Sequence, residues 1–213
     1  MKNKLVLIIL NLLIVSLGIS QISSGGEPIS RKFLENQNIK SVILAPVSQA
    51  WITEAAETDG KNGDIERVAK NIPTNLNPYN SGTWETLLNG DRLWRLQITA
   101  TDALGVNAIF KDFSLAKGSK LFIYSPAYKQ VIGAFNETNN HVSKQFSTEI
   151  IFGTTLILEY LEPKNQVNKG FFTIENIGSF YKNVDLPIQA DNSFGDADPC
   201  EINVNCSPEG TNW

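Results

Sequence analysis

The sequence predicts an all-β protein: an antiparallel β-sandwich, jelly-roll-like, between a cleaved N-terminal signal peptide and a flexible C-terminal tail. Three observations carry this. From Thr83 onward, short apolar and aromatic runs recur every 8 to 15 residues or so with turn residues between them, the pattern of sandwich strands. In "RLWRLQITA", Trp94, Leu96, Ile98 and Ala100 alternate with Arg95, Gln97 and Thr99, the period of a half-buried strand with Trp94, Leu96 and Ile98 inward. The two ends differ in kind from the middle, one an apolar leader and the other a polar, acidic stretch.

Residues 1–20 read as a signal peptide. Lys2 and Lys4 precede an apolar run from Leu5 to Ile19 that Asn11 and Ser16 interrupt, and small Gly18 and Ser20 stand ahead of Gln21, so the cut is expected after Ser20. A retained anchor needs about 20 consecutive apolar residues, and the run falls short of that. The chain is therefore expected to be secreted, periplasmic or on the cell surface, with no stable membrane insertion after signal cleavage. No cysteine follows the run, which excludes a lipoprotein signal.

Residues 21–83 form an N-terminal segment expected to be partly irregular. "SVILAPVSQAW" has strand-like composition cut by Pro46. The polar stretch 53–83 carries Asp59-Gly60, Asn62-Gly63, Pro73 and Pro78, and reads as loop with one short helix at Asp64 to Lys70. Residues 84–182 hold the sandwich. After "RLWRLQITA", strands are expected at "NAIFKDFSL", "SKLFIYSP", "QVIGAFNE", "TEIIFG", "TLILEYLEP" and "GFFTIENIGSFY", with turns at 116–118, 137–140 and 163–170. Gly153 is either a bulge in one long strand or a hinge between two. Residues 183–199 are polar, acidic and turn-rich, an expected exposed linker, and 200–213 contain the only two cysteines, Cys200 and Cys206.

The formal charge of −4 includes two leader lysines, so the exported part is more acidic still. With no clustered Lys and Arg, a nucleic-acid partner is not expected. Catalysis by a serine or cysteine nucleophile needs an adjacent base. His141 is the only histidine and lies in the polar loop "ETNNHVSKQ", so no catalytic residue is assigned. One His and two Cys at C-x5-C supply too few ligands for zinc, no glycine-rich phosphate loop precedes a helix, and no cofactor or metal is expected. Asp91, Asp112, Glu149 and Glu159 are candidates for a paired-carboxylate site, although Glu159 is expected on an outward strand face, away from Leu158 and Tyr160. Trp84, Trp94, Phe110, Phe113, Phe122 and Tyr124 could stack on a sugar, but are expected to be core.

Several runs resemble the pro-region of secreted, lysyl endopeptidase-like serine proteases of the trypsin fold: "NSGTWETLLNGDRLWRLQI", "FKDFSLAKGSKLFIYSP", "GAF" and "LILEYLEP". The terminal "DPCEINVNCSPEGTNW" is similar to the start of their catalytic domain. Ala116 stands where the family's turn carries proline. The resemblance implies that 21–83 is a pro-segment, 84–182 a pro-domain and 200–213 the start of a truncated protease domain, with the triad beyond Trp213. It also implies that Cys200 and Cys206 pair with partners further along that domain, against the alternative of a local Cys200–Cys206 disulfide. The expected function is to assist folding of the protease and inhibit it until processed. The expected partner is the protease catalytic domain in cis, and the processing residues are Ser20 for the signal peptide and Lys182 for self-cleavage. The rival reading is a secreted β-sandwich that binds glycan or a surface protein.

Overall fold

The computed structural model describes residues 23–33, 39–59, 61, 65–127 and 129–183. Among the described residues the fold is all-β with two short α-helices, α1 (Ile29–Phe33) and α2 (Gln49–Thr58). The strands are β1 (Ser41–Leu44), β2 (Ala69–Leu76), β3 (Thr83–Thr86), β4 (Arg92–Ala100), β5 (Gly105–Ser114), β6 (Lys120–Tyr124), β7 (Val131–Phe135), β8 (Phe146–Ser147), β9 (Ile151–Phe152), β10 (Thr155–Glu162) and β11 (Phe171–Phe180). The first sheet runs β1-β4-β10-β6-β7, with β3 paired to β4 on the edge it shares with β1. The second runs β2-β11-β5-β8, with β9 beside β8 on the edge of β5. All pairings are antiparallel except β1 with β4, which is parallel.

Period-two alternation builds the interior. Trp94, Leu96 and Ile98 of β4 and Leu156, Leu158 and Tyr160 of β10 share one buried cluster with Val106, Ala108 and Phe110 of β5 and Phe172, Ile174 and Ile177 of β11. The Phe172 ring joins the sheets, lying 5.5 Å from Trp94, 5.4 Å from Tyr160 and 5.7 Å from Phe110 between centroids. Phe110 and Phe113 are three apart yet both buried. A register shift in β5 makes this possible: Asp112 adopts φ 52° and adds a residue to the strand, a conformation aspartate tolerates better than most residues.

Strand order explains how the chain closes. From β4 onward, successive strands alternate between the sheets except at the β6–β7 hairpin and between β8 and β9, so that β4, β10, β6 and β7 belong to the first sheet and β5, β8, β9 and β11 to the second. Gly153 is a hinge rather than a bulge: at φ 87° it donates its amide to Leu104 O (2.9 Å) and separates β9 of the second sheet from β10 of the first. At Gly82 only glycine fits, since φ is 71° and a Cβ would stand 2.6 Å from Arg95 O and 2.4 Å from Trp94 Nε1.

Several expectations need correction. The segment from Asp64 to Lys70 is not a helix where it is described: Ile65–Val68 is irregular and Lys70 lies in β2, which pairs with β11 through Phe180↔Ala69 and Ser179↔Lys70. Tertiary pairing decides here, and Pro73 is accommodated because β2 is the sheet edge. The helix lies upstream as α2, capped by Ser48, whose Oγ accepts from Trp51 N. The described part of residues 21–83 thus contributes strands β1 and β2, the first residue of β3, and helices α1 and α2.

The other correction concerns the outer face of the first sheet. Arg95 does point away from Trp94, but it is buried at 3% exposure, and Glu159 is buried at 1%. The N-terminal segment covers them. Ser24 N donates to Ala134 O (3.0 Å) and Ala134 N to Gly25 O (3.3 Å), which ties the segment to β7. The Glu159 carboxylate then accepts from Ile29 N (2.6 Å) and Ser30 N (3.1 Å). Beside it, Arg95 donates to Ser30 Oγ (3.3 Å) and to Glu85 Oε2 (2.8 Å). Phe122, Tyr124, Ala134 and Ile157 form a second apolar cluster on this face, with Ile39 and Val131 against it. Burial, with the Glu159 charge adding to it, pushes the Tyr124 phenol up to about 12.

The chain divides after Lys182 into two units, and the second, Asn183 excepted, lies outside the described residues. Among the described residues, no helix is long and apolar enough to cross a membrane.

Candidate functional site

Of the residues singled out by sequence, Ser20, Cys200 and Cys206 lie outside the described residues. His141 sits in an exposed turn with Nδ1 2.9 Å from Ser143 Oγ, a distance suited to a nucleophile and base. The same Nδ1 also lies 3.2 Å from the Ser143 amide, and Ser143 Oγ accepts from Gln145 N, so these contacts close a local turn. The carboxylates are scattered. Asp91 accepts from Lys164 N (2.9 Å) and Asn89 Nδ2 (2.7 Å), Asp112 forms the bulge, Glu149 is exposed in a loop, and Glu159 is under the N-terminal segment. Among the described residues, no group of three or more His, Cys, Asp or Glu could hold a metal. Trp94, Phe110 and Phe113 lie in the shared core, Phe122 and Tyr124 in the outer cluster, and half-buried Trp84 packs against the core.

Lys182 is where an assembled site appears. It follows the end of β11, and its Nζ donates to Glu66 Oε1 (2.6 Å), a contact that holds its pKa above the usual 10.5. The backbone is engaged too: the amides of Tyr181 and Lys182 both donate to Val68 O, at 3.1 and 3.4 Å. Tyr181 Oη donates to Arg67 O (2.6 Å), and its ring meets Trp51 edge-on at 5.5 Å between centroids.

A second layer holds these groups. Asp59, at the end of α2, accepts from Arg67 N (2.8 Å) and Arg67 Nε (2.6 Å), and Arg67 also donates to Thr58 Oγ1. The cations of Arg67 and Lys70 stand over the Trp51 ring, 5.5 and 4.9 Å from its centroid. Segment 66–68 is thus clamped between α2 and the end of β11. The sequence singles out Lys182 as a processing residue only through the resemblance, and does not mark Trp51, Asp59, Glu66, Arg67 and Tyr181, which the structure gathers around it. One signal was available: Ser48 followed by the helix-favouring "QAWITEAAET" spaces Trp51 and Ala55 one turn apart on one face.

The clamp has a pH limit. Burial raises the Asp59 pKa, but the Arg67 hydrogen bonds and charge outweigh this and hold it below the usual 3.8. A depressed carboxylate stabilises the fold above its unfolded pKa, and that contribution is lost as pH falls through the folded value. Trp51 emission is therefore expected to hold down to the usual carboxylate pKa of 3.8 and to change only at lower pH, read as the difference between the parent and Trp51→Phe. Asp59→Asn should abolish that step, and an identical step in Asp59→Asn would show that Asp59 does not control it.

No protein-family model matches the chain.

Proposed function

We propose that this chain is the signal peptide and pro-region of an exported serine endopeptidase, leading at 200–213 into its catalytic domain. The position of Lys182 carries the reading. Strand β11 ends at Phe180, the first unit ends at Lys182, and neither Lys nor Arg occurs from Asn183 to Trp213. A lysine-directed cut at this point would separate the β-rich body from everything after it at a single bond. The motifs that resemble protease pro-regions add support: Trp94, Leu96, Phe110, Phe113, Leu121, Ile123 and Leu158 belong to one core, so the likeness rests on interlocking residues.

The strand order supports a jelly-roll-like β-sandwich as the form of this pro-domain. Its role is to offer the protease domain a surface on which to assemble, since a barrel built from non-local pairings folds slowly, and to keep the protease inactive until cleavage.

The test is the processed product of the full-length chain. Mass spectrometry should find a fragment whose N-terminus is Asn183, and the reading frame should continue past Trp213 into His, Asp and Gly-x-Ser-Gly segments. An N-terminus beside Cys200 would reject self-processing at Lys182. A frame without those segments, together with glycan binding by the exported chain alone, would favour the binding-module reading.

A further inference from the structure

We propose that the clamp around segment 66–68 masks the Lys182–Asn183 bond, so that cleavage there is governed by the opening of the clamp and not by the presence of lysine alone. This rests on the reading of Lys182 as the processing residue, and adds how that site is regulated.

A protease that selects lysine must draw the ammonium into its own acidic pocket and pair with the substrate backbone as an extended strand. In the folded chain both are engaged. Nζ is held by Glu66 and the Lys182 side chain is only 28% exposed. The two amides ahead of the bond converge on Val68 O. Tyr181, which would lie next to the scissile lysine in the protease cleft, is held by its ring to Trp51 and by its hydroxyl to Arg67 O. Because Glu66, Arg67 and Val68 are consecutive, these contacts open together. The cutting rate then follows the population of the opened form.

The contacts differ in weight. The Lys182–Glu66 pair is partly exposed, with Glu66 at 65%, so Glu66→Gln is expected to speed cleavage by about two- to fivefold. Trp51→Ala removes the ring that holds Tyr181 and takes the cations of Arg67 and Lys70, and should speed it by about tenfold or more.

The experiment exposes the exported chain to a purified lysine-specific endopeptidase and measures release of the fragment beginning at Asn183. A synthetic peptide of residues 178–187 serves as the unmasked reference. The folded chain should be cut at least about tenfold more slowly than the peptide, with Glu66→Gln and Trp51→Ala moving toward the peptide rate. Simultaneous cutting at Lys111 within β5 would mark unfolding, and a Trp51→Ala protein that shows it leaves Glu66→Gln to decide. Cleavage of the parent at the peptide rate, or of a folded Glu66→Gln at the parent rate, would overturn the proposal. Neither result bears on whether a protease follows in the reading frame, so masking and pro-region can fail separately.

Discussion

Trp94→Ala is expected to destabilise the β-rich body by about 3–5 kcal/mol, at the top of the range for core truncations. Trp94 is fully buried on β4, opposite Trp84 on β3 and Tyr160 on β10, and its ring meets Phe172 of the second sheet. Removing it opens a void where the two sheets meet, and the surrounding rings are held in their own edge-to-face contacts, which limits collapse into it. The indole also donates to Ser81 O (2.8 Å), so truncation leaves that carbonyl without its donor as well. For a domain of this size, the loss corresponds to a fall in Tm of about 10–15 °C. Trp94→Phe should lose clearly less, because it keeps an aromatic ring against Phe172. Equal losses for Ala and Phe would mean that the hydrogen bond, and not the packing, dominates at this position.

Much of the β structure was legible because a strand with one face in the core writes a period of two into the sequence. The runs around Trp94, Phe110, Ile123, Leu158 and Phe172 all became strands. β2 was missed because "AKNIPTNL" has polar composition and a proline, features that an edge strand tolerates and a pattern search rejects. The period also separates faces without saying what covers them. Arg95 and Glu159 were correctly taken to point away from Trp94 and Leu158, yet the cover that buries them comes from Ile29 and Ser30, about 130 residues before Glu159 in the chain. For the same reason Lys182 could be picked out as the last basic residue, whereas its restraint by Glu66 and Val68 could not. Those contacts span more than a hundred residues and exist only once β2 has paired with β11.

Glu159→Ala is the second large effect, with an expected loss of about 3 kcal/mol. Its carboxylate takes two backbone amides from the start of α1 and lies opposite Arg95 in the pairing of β10 with β4. Truncation leaves both amides without their acceptor and removes a negative charge from the strand position opposite the buried Arg95, whose guanidinium donates to Glu85 Oε2. Water can limit the damage only by displacing the N-terminal segment, so the loss is bounded by what docking of residues 23–33 contributes. Release should therefore be visible directly, as faster tryptic cutting after Arg31, which is exposed and held to Lys129 O. Replacing the pair together separates charge from shape. Buried charged groups often exchange for well-packed apolar residues at little cost, so Arg95→Met with Glu159→Leu, which removes both charges from facing strand positions, should recover a good part of the loss in denaturant melts. Glu85, one-third exposed, can turn to solvent in that variant. The N-terminal segment would nonetheless stay more open to trypsin than in the parent, because no apolar side chain accepts the Ile29 and Ser30 amides. If Glu159→Ala changes stability by less than about 0.5 kcal/mol and leaves the Arg31 cut unchanged, the segment is held by its pairing with β7 and not by the carboxylate.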